Sequence, residues 1–65
     1  MIKYPEVKVK LVGTDGNAFA VLGRVQKAMR EAGLTPEQIN EFAEEATSSD
    51  YNHLLATCMK YVEVE

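Results

Sequence analysis

The loop of residues 13–17 is the part of this 65-residue chain whose composition best suits ligand binding. It reads Gly13-Thr14-Asp15-Gly16-Asn17 and lies between an alternating segment and a helical one. Free amides at the start of a helix attract anions, and glycine lets a phosphate approach the backbone. The ending of a Walker loop and the third glycine of a dinucleotide fingerprint are both missing, and Asp15 would repel phosphate. We therefore interpret the loop as a turn with a helix cap, with binding of a small anion or nucleotide as the alternative.

A possible basic patch consists of Arg24, Lys27 and Arg30, which follow one another at spacings of three. Such a stripe on a helix is typical of contacts with phosphate backbones. The chain is acidic overall, with a net charge of −3, and no helix-turn-helix, aromatic platform or glycine clamp accompanies the stripe. We expect Lys27 and Arg30 to pair with glutamates of the next helix, and weak regulatory nucleic-acid binding is the alternative.

The residues that most often carry catalysis are sparse. His53 and Cys58 are each unique in the chain, and five helical positions turn them about 140° apart. We expect Cys58 in the core and His53 on the solvated surface. Glutamates 37, 41, 44 and 45 are predicted to form the wet face of one helix. The sequence therefore predicts no catalytic residue, no metal site and no cofactor, and a protein that is not an enzyme.

The elements follow from periodicity and turn residues, and they predict one α+β domain over residues 1–65. The pattern predicts a first strand over Val7–Val12, after Pro5, and helices over Ala18–Ala32 and Pro36–Ala46. A third helix, capped by Ser49 or Asp50, is then followed by a strand over Tyr61–Glu65. Gly33 is placed to close the first helix, and Thr35 with Gln38 forms a capping box for the second. The fold class is strand–helix–helix–helix–strand, with three helices on a two-stranded sheet that a dimer would extend to four strands.

The inner helix faces are predicted from the same spacing. They are Ala18, Leu22, Val25, Met29 and Ala32 with Phe19 beside them; Ile39, Phe42, Ala43 and Ala46; then Tyr51, Leu54, Leu55, Cys58 and Met59.

Charge is divided unevenly along the chain. Residues 1–30 carry six basic and two acidic side chains, whereas residues 31–65 carry one basic and eight acidic ones. If the two strands pair, in either direction, Lys8 and Lys10 lie on the same face as Glu63 and Glu65, which favours their pairing. The division is therefore predicted to be neutralised within the fold.

Several residue runs resemble a small family of uncharacterised bacterial and phage-borne proteins. They are Val9–Phe19, Gly23-Arg24-Val25, Glu45–Ser48, Asp50-Tyr51 and Leu54-Leu55. The resemblance spans most of the chain and implies a small free-standing prokaryotic or viral protein, without implying an activity, substrate or cofactor.

The open edges of a two-stranded sheet suggest the function. We predict a non-enzymatic protein-interaction module that acts as a homodimer or on a protein partner. No apolar stretch approaches the length of a membrane span, and residues 1–5 do not resemble a signal peptide, so we expect a cytoplasmic protein without a membrane partner.

Overall fold

Two strands and three helices follow one another in the predicted order. The computed structural model describes residues 1–11 and 17–65. The elements are β1 (Tyr4–Val9), α1 (Ala18–Glu31), α2 (Pro36–Ala46), α3 (Tyr51–Tyr61) and β2 (Val62–Val64). The strands are parallel neighbours in one sheet. Parallel strands need a long crossover connection, which the three helices supply. The predicted small α+β architecture is confirmed.

Both strands differ in extent from the prediction. β1 begins at Tyr4, before Pro5, and the pairing is irregular between Tyr4 and Lys8. A proline lacks the N–H of a ladder but is tolerated at such an irregularity. Tyr61 belongs to the end of α3 instead of β2, and its ring is buried.

The regular part of the sheet pairs Lys8 with Glu63 and Val9 with Val64. Lys8 and Glu63 are both exposed, whereas Val9 is buried. The lysine and the glutamate thus share the solvent face, as predicted.

The helix ends have the predicted local chemistry. The side chain of Asn17 accepts from the amide of Phe19 over 2.9 Å and caps α1. Gly33 follows α1 with a φ of 90°, a conformation that glycine adopts without strain. Thr35 and Gln38 exchange the two hydrogen bonds of a capping box. Asp50 caps α3 by accepting from the amide of His53.

The core lies between the helices and one face of the sheet. Its largest fully buried side chains are Phe42, Met29, Val7, Val21, Val25, Val62, Thr57 and Cys58. The predicted inner face of α1 is confirmed for Val25 and Met29, which are buried, and for Ala18 and Leu22, which pack partly buried against the core. It was wrong at its margins, because Val21 is buried while Phe19 is 83% exposed and Ala32 is exposed. Apolar residues lie on both sides of the predicted stripe, so the sequence pattern did not fix where around the helix axis the buried face is centred. Met59, expected on the inner face of α3, is also exposed.

No helix within residues 1–11 and 17–65 has the length and apolar character that crossing a bilayer requires.

Candidate functional site

A groove of about 550 Å³ separates β1 from the outward side of α1. We call it the β1 groove. It is lined by Lys8, Val9 and Lys10 of the β1 segment and by Ala20, Gly23, Arg24, Lys27, Ala28 and Glu31 of α1. Val21, Val25 and Met29 fix the position of α1 because they are buried in the core on its opposite side. The groove is therefore a consequence of how α1 packs against the sheet.

The β1 groove is strongly basic. Among the described residues that line it, Lys8, Lys10, Arg24 and Lys27 are cationic and exposed, and Glu31 is the one acidic residue. Arg24 is held in place, since its Nη1 donates to the main-chain oxygen of Lys10 over 3.1 Å. This bond joins α1 to the end of the β1 segment. The arrangement concentrates positive charge in a protein whose net charge is −3.

The main chain of β1 offers hydrogen-bonding groups to this groove. Val9 faces β2, since its carbonyl accepts from the amide of Glu65 over 2.8 Å. The N–H and C=O groups of successive strand residues point to opposite edges, so those of Lys8 point away from β2. The sheet in the described part of the chain has two strands, and this edge of β1 borders the groove.

Gly23 leaves space beside this edge. It lies within α1, where glycine costs about 0.5–1 kcal/mol relative to alanine. A Cβ placed on Gly23 would meet no atom within 4 Å. The packing of α1 against the rest of the described chain therefore does not require glycine at this position. Its absent side chain widens the groove.

The possible basic patch is divided between two surfaces. Arg24 and Lys27 line the β1 groove together with Lys8 and Lys10, whereas Arg30 lines a different depression with Leu34, Pro36 and Ile39. The expected pairing of Lys27 and Arg30 with glutamates of α2 was wrong. In the described ranges, the ion pairs are Lys3 with Glu41 at 2.7 Å and Lys60 with Glu45 at 2.8 Å.

Four residues of the possible ligand loop, Gly13, Thr14, Asp15 and Gly16, lie outside the described residues. Asn17 is described, and its side-chain oxygen is used to cap α1. Anion or nucleotide binding by this loop stays a prediction.

His53 is not the solvated residue that the sequence suggested. It is half-buried, and its Nε2 lies 2.9 Å from the carbonyl oxygen of Glu45 and 3.2 Å from Oγ of Ser48. A carbonyl can only accept, so Nε2 carries the proton in this arrangement. The hydroxyl of Ser48 also donates to that carbonyl, over 2.7 Å. The histidine therefore holds the end of α2 and does not act here as a base for Ser48.

Cys58 is buried, as predicted, and burial raises the pKa of its thiol to about 11. The thiol is thus protonated at neutral pH and is a poor nucleophile. Among the residues with a described placement, no three His, Cys, Asp or Glu side chains are grouped in a way that could hold a metal ion.

Glu45 also departs from the prediction of a fully wet face. Its carboxylate is half-buried and accepts from Lys60 and from the hydroxyl of Tyr61. These hydrogen bonds lower the pKa of Glu45. Burial, followed by the bond to Glu45, raises the pKa of Tyr61. The cluster ties α2 to the end of α3 and has a structural role.

Lys8, Lys10 and Gly23 were missed as candidate site residues. The lysines were predicted only to pair with the glutamates of β2, although a residue of a strand can also contact a neighbour beyond the other edge of that strand. Gly23, a glycine inside an amphipathic helical pattern, was the one signal in the sequence, because it leaves a gap in the row of side chains along α1.

A scan against protein-family models, a search of curated proteins and a search of solved structures each found no match for this chain. The resemblance to a bacterial and phage-borne family stays a prediction.

Proposed function

We propose that this protein is a non-enzymatic protein-interaction module that binds an extended segment of a partner protein along the free edge of β1. The observation that carries the proposal is the groove itself. It places the outward-facing N–H and C=O groups of Lys8 beside an accessible part of the β1 groove, whereas the carbonyl of Lys10, the next outward-facing residue, already accepts from Arg24. A peptide added as a strand would satisfy these groups, which is the general mechanism of β-augmentation.

The β1 groove has room for the backbone of an added strand. Its α1 side contains Ala20, Gly23 and Ala28, whose small side chains keep the space next to β1 open. Glycine at position 23 costs helix stability, and no contact with the rest of the described chain requires it. A backbone that approaches α1 closely would use the space that glycine leaves.

A second copy of the chain suits this edge poorly. At the segment of β1 that lines the groove, antiparallel pairing with a second copy around Val9 would place Lys8 of each copy opposite Lys10 of the other. Like charges directly opposite one another destabilise a strand pair. We therefore assign the edge to a different protein instead of to a four-stranded homodimer.

The test is selection from a phage-displayed library of random heptapeptides, followed by amide-resolved NMR of the protein with the selected peptides. We expect shifts and slowed hydrogen exchange at the amide of Lys8, with neighbouring shifts at Gly23. Lys8→Pro removes that amide and should abolish binding, whereas Lys8→Ala loses the same charge but keeps the amide and should retain part of it.

Thermal melting would verify that both variants are folded. Equal binding by Lys8→Pro and Lys8→Ala would contradict strand addition. A library that yields no binder, or binders whose shifts lie away from β1, would also overturn the proposal.

A further inference from the structure

We infer that the partner segment is acidic, with carboxylate side chains at alternate positions facing the side of the sheet that carries Lys8. This inference rests on the proposed function, because it assumes that a strand is added to β1. The negative charge of the segment would then be the property by which β1 and α1 select it.

The first reason is the pairing already present on the other edge of β1. There Lys8 is the register partner of Glu63, and Val9 is the partner of Val64. β2 thus presents a Val-Glu-Val sequence to a strand that alternates valine with lysine. Lys8 and Lys10 lie on the exposed face, within reach of neighbours on both edges. A strand with the same alternation would place carboxylates beside these lysines.

The second reason is the charge on the α1 side of the groove. Arg24 and Lys27 are exposed along the groove, and the hydrogen bond from Arg24 to Lys10 uses one of its five N–H donors. Carboxylates on the side of the sheet that carries Lys8 would meet the lysines of the strand, whereas Arg24 and Lys27 would attract the acidic segment as a whole from the α1 side. Glu31, the last residue of α1, is the acidic residue among the described ones that line the groove.

The third reason distinguishes a peptide from a nucleic acid. The outward-facing carbonyl of Lys8 is an acceptor that needs a donor. A peptide strand supplies N–H groups in the same spacing as its carbonyls, whereas the phosphates of a nucleic acid only accept, and its donors, on the bases and the RNA 2′-hydroxyl, do not repeat with the spacing of a strand. The edge of β1 presents an N–H donor as well as a C=O acceptor, so it favours an acidic peptide over DNA or RNA. The cations of the groove would attract either class of ligand.

The experiment uses fluorescence anisotropy with two labelled, end-blocked peptides, one alternating glutamate with threonine over eight residues and the other alternating glutamine with threonine. The two differ in charge but hardly in shape or strand propensity. We expect the glutamate peptide to bind about tenfold or more tightly than the glutamine peptide, with the difference shrinking at high salt.

Two variants of α1 provide a matched pair. Lys27→Glu reverses a charge inside the groove and should weaken binding of the glutamate peptide about tenfold or more. Arg30→Glu makes the same change in charge on the same helix but outside the groove, and should have little effect. A lysine–threonine peptide should gain affinity for the double variant Lys8→Glu with Lys27→Glu.

The outcomes separate the inference from the proposed function. If the glutamine peptide binds at the β1 edge as tightly as the glutamate peptide, strand addition survives and selection by charge is wrong. If neither peptide shifts β1 and the library yields no binder there, both are wrong. Tighter binding of single-stranded oligothymidine, with the same dependence on Lys27, would overturn the inference in favour of nucleic acid.

Discussion

The hydroxyl of Tyr61 donates to Oε1 of Glu45 over 3.0 Å, at the junction where α3 ends and β2 begins. Lys60 donates to the other carboxylate oxygen over 2.8 Å. The Tyr61 ring also packs edge-on against Phe42, with their centroids 5.3 Å apart. One tyrosine thereby connects the core, the acidic helix and the start of the second strand. Its removal should affect the alignment of β2 with β1.

This cluster predicts a defined acid sensitivity. Hydrogen bonds from Lys60 and Tyr61 lower the pKa of Glu45 relative to the unfolded chain. A carboxylate of this kind contributes stability above its unfolded pKa of about 4.3, and the contribution is lost as pH falls through the lower folded value. Urea unfolding between about pH 7 and about pH 2.5 should show less acid destabilisation in Glu45→Gln than in the parent. Glu44→Gln, on the exposed side of the same helix, is the control; an equal change in both variants would contradict the role of the cluster.

Gly23→Ala should stabilise the free protein and weaken its binding. Alanine in place of glycine within α1 should add about 0.5–1 kcal/mol to the free energy of unfolding, because the added Cβ meets no atom of the described chain. The same methyl group projects into the groove and should weaken binding of the glutamate–threonine peptide. Urea denaturation and anisotropy measure the two effects separately. Unchanged binding by a stabilised variant would show that no backbone approaches α1 there.

The thiol of Cys58 should report unfolding. Burial raises its pKa to about 11, and its side chain is fully enclosed. Because the folded state disfavours the thiolate, this group contributes stability below its unfolded pKa of about 8.5, and the contribution is lost as pH rises through the folded value. Labelling by a disulfide reagent at neutral pH should be slow and should accelerate with urea in parallel with unfolding. Rapid labelling of the native protein would contradict this burial.

Thr35 and Asp50, which cap helices, should contribute more to the free energy of unfolding than Ser49, which does not. Thr35→Ala removes one half of the capping box and should lower the free energy of unfolding by about 1 kcal/mol. Asp50→Ala should cost a similar amount, since Asp50 caps α3. Ser49→Ala, one residue earlier, should be close to neutral because Asp50 provides the cap. Chemical denaturation ranks the three variants, and a larger loss for Ser49→Ala than for Asp50→Ala would reverse the assignment.

The two phenylalanines should behave oppositely. Phe42 is fully buried, so Phe42→Ala should cost about 3–5 kcal/mol, whereas Phe19→Ala should change stability by about 0.5 kcal/mol or less because Phe19 is 83% exposed. Circular dichroism melts distinguish the two. If Phe42→Ala is unfolded, Phe42→Leu provides a milder measure, and a loss no greater than that of Phe19→Ala would show that the core is misassigned.

The sequence by itself determined the features that depend on local interactions. Gly33 and the pair Thr35 with Gln38 mark helix ends because capping involves residues only a few positions apart. For the other two helix starts the sequence narrowed the cap to Asp15 or Asn17 and to Ser49 or Asp50, and the structure has Asn17 and Asp50 as caps. The order of the elements and the burial of Val25, Met29, Phe42 and Cys58 follow from periodicity in the same way.

Tertiary structure alone decided what depends on contacts between distant segments. The parallel direction of the strands, the phase of α1 that buries Val21 and exposes Phe19, and the inclusion of Tyr61 in α3 all result from packing between elements. The β1 groove belongs to this group, because it brings Lys8 and Lys10 beside Arg24 and Lys27, which lie 14 or more positions further along the chain. Spacing along the helix turns Arg30 about 120° from Arg24, but it does not show which surface each side chain borders. The two residues line different surfaces because α1 borders β1 on one side and the start of α2 on another.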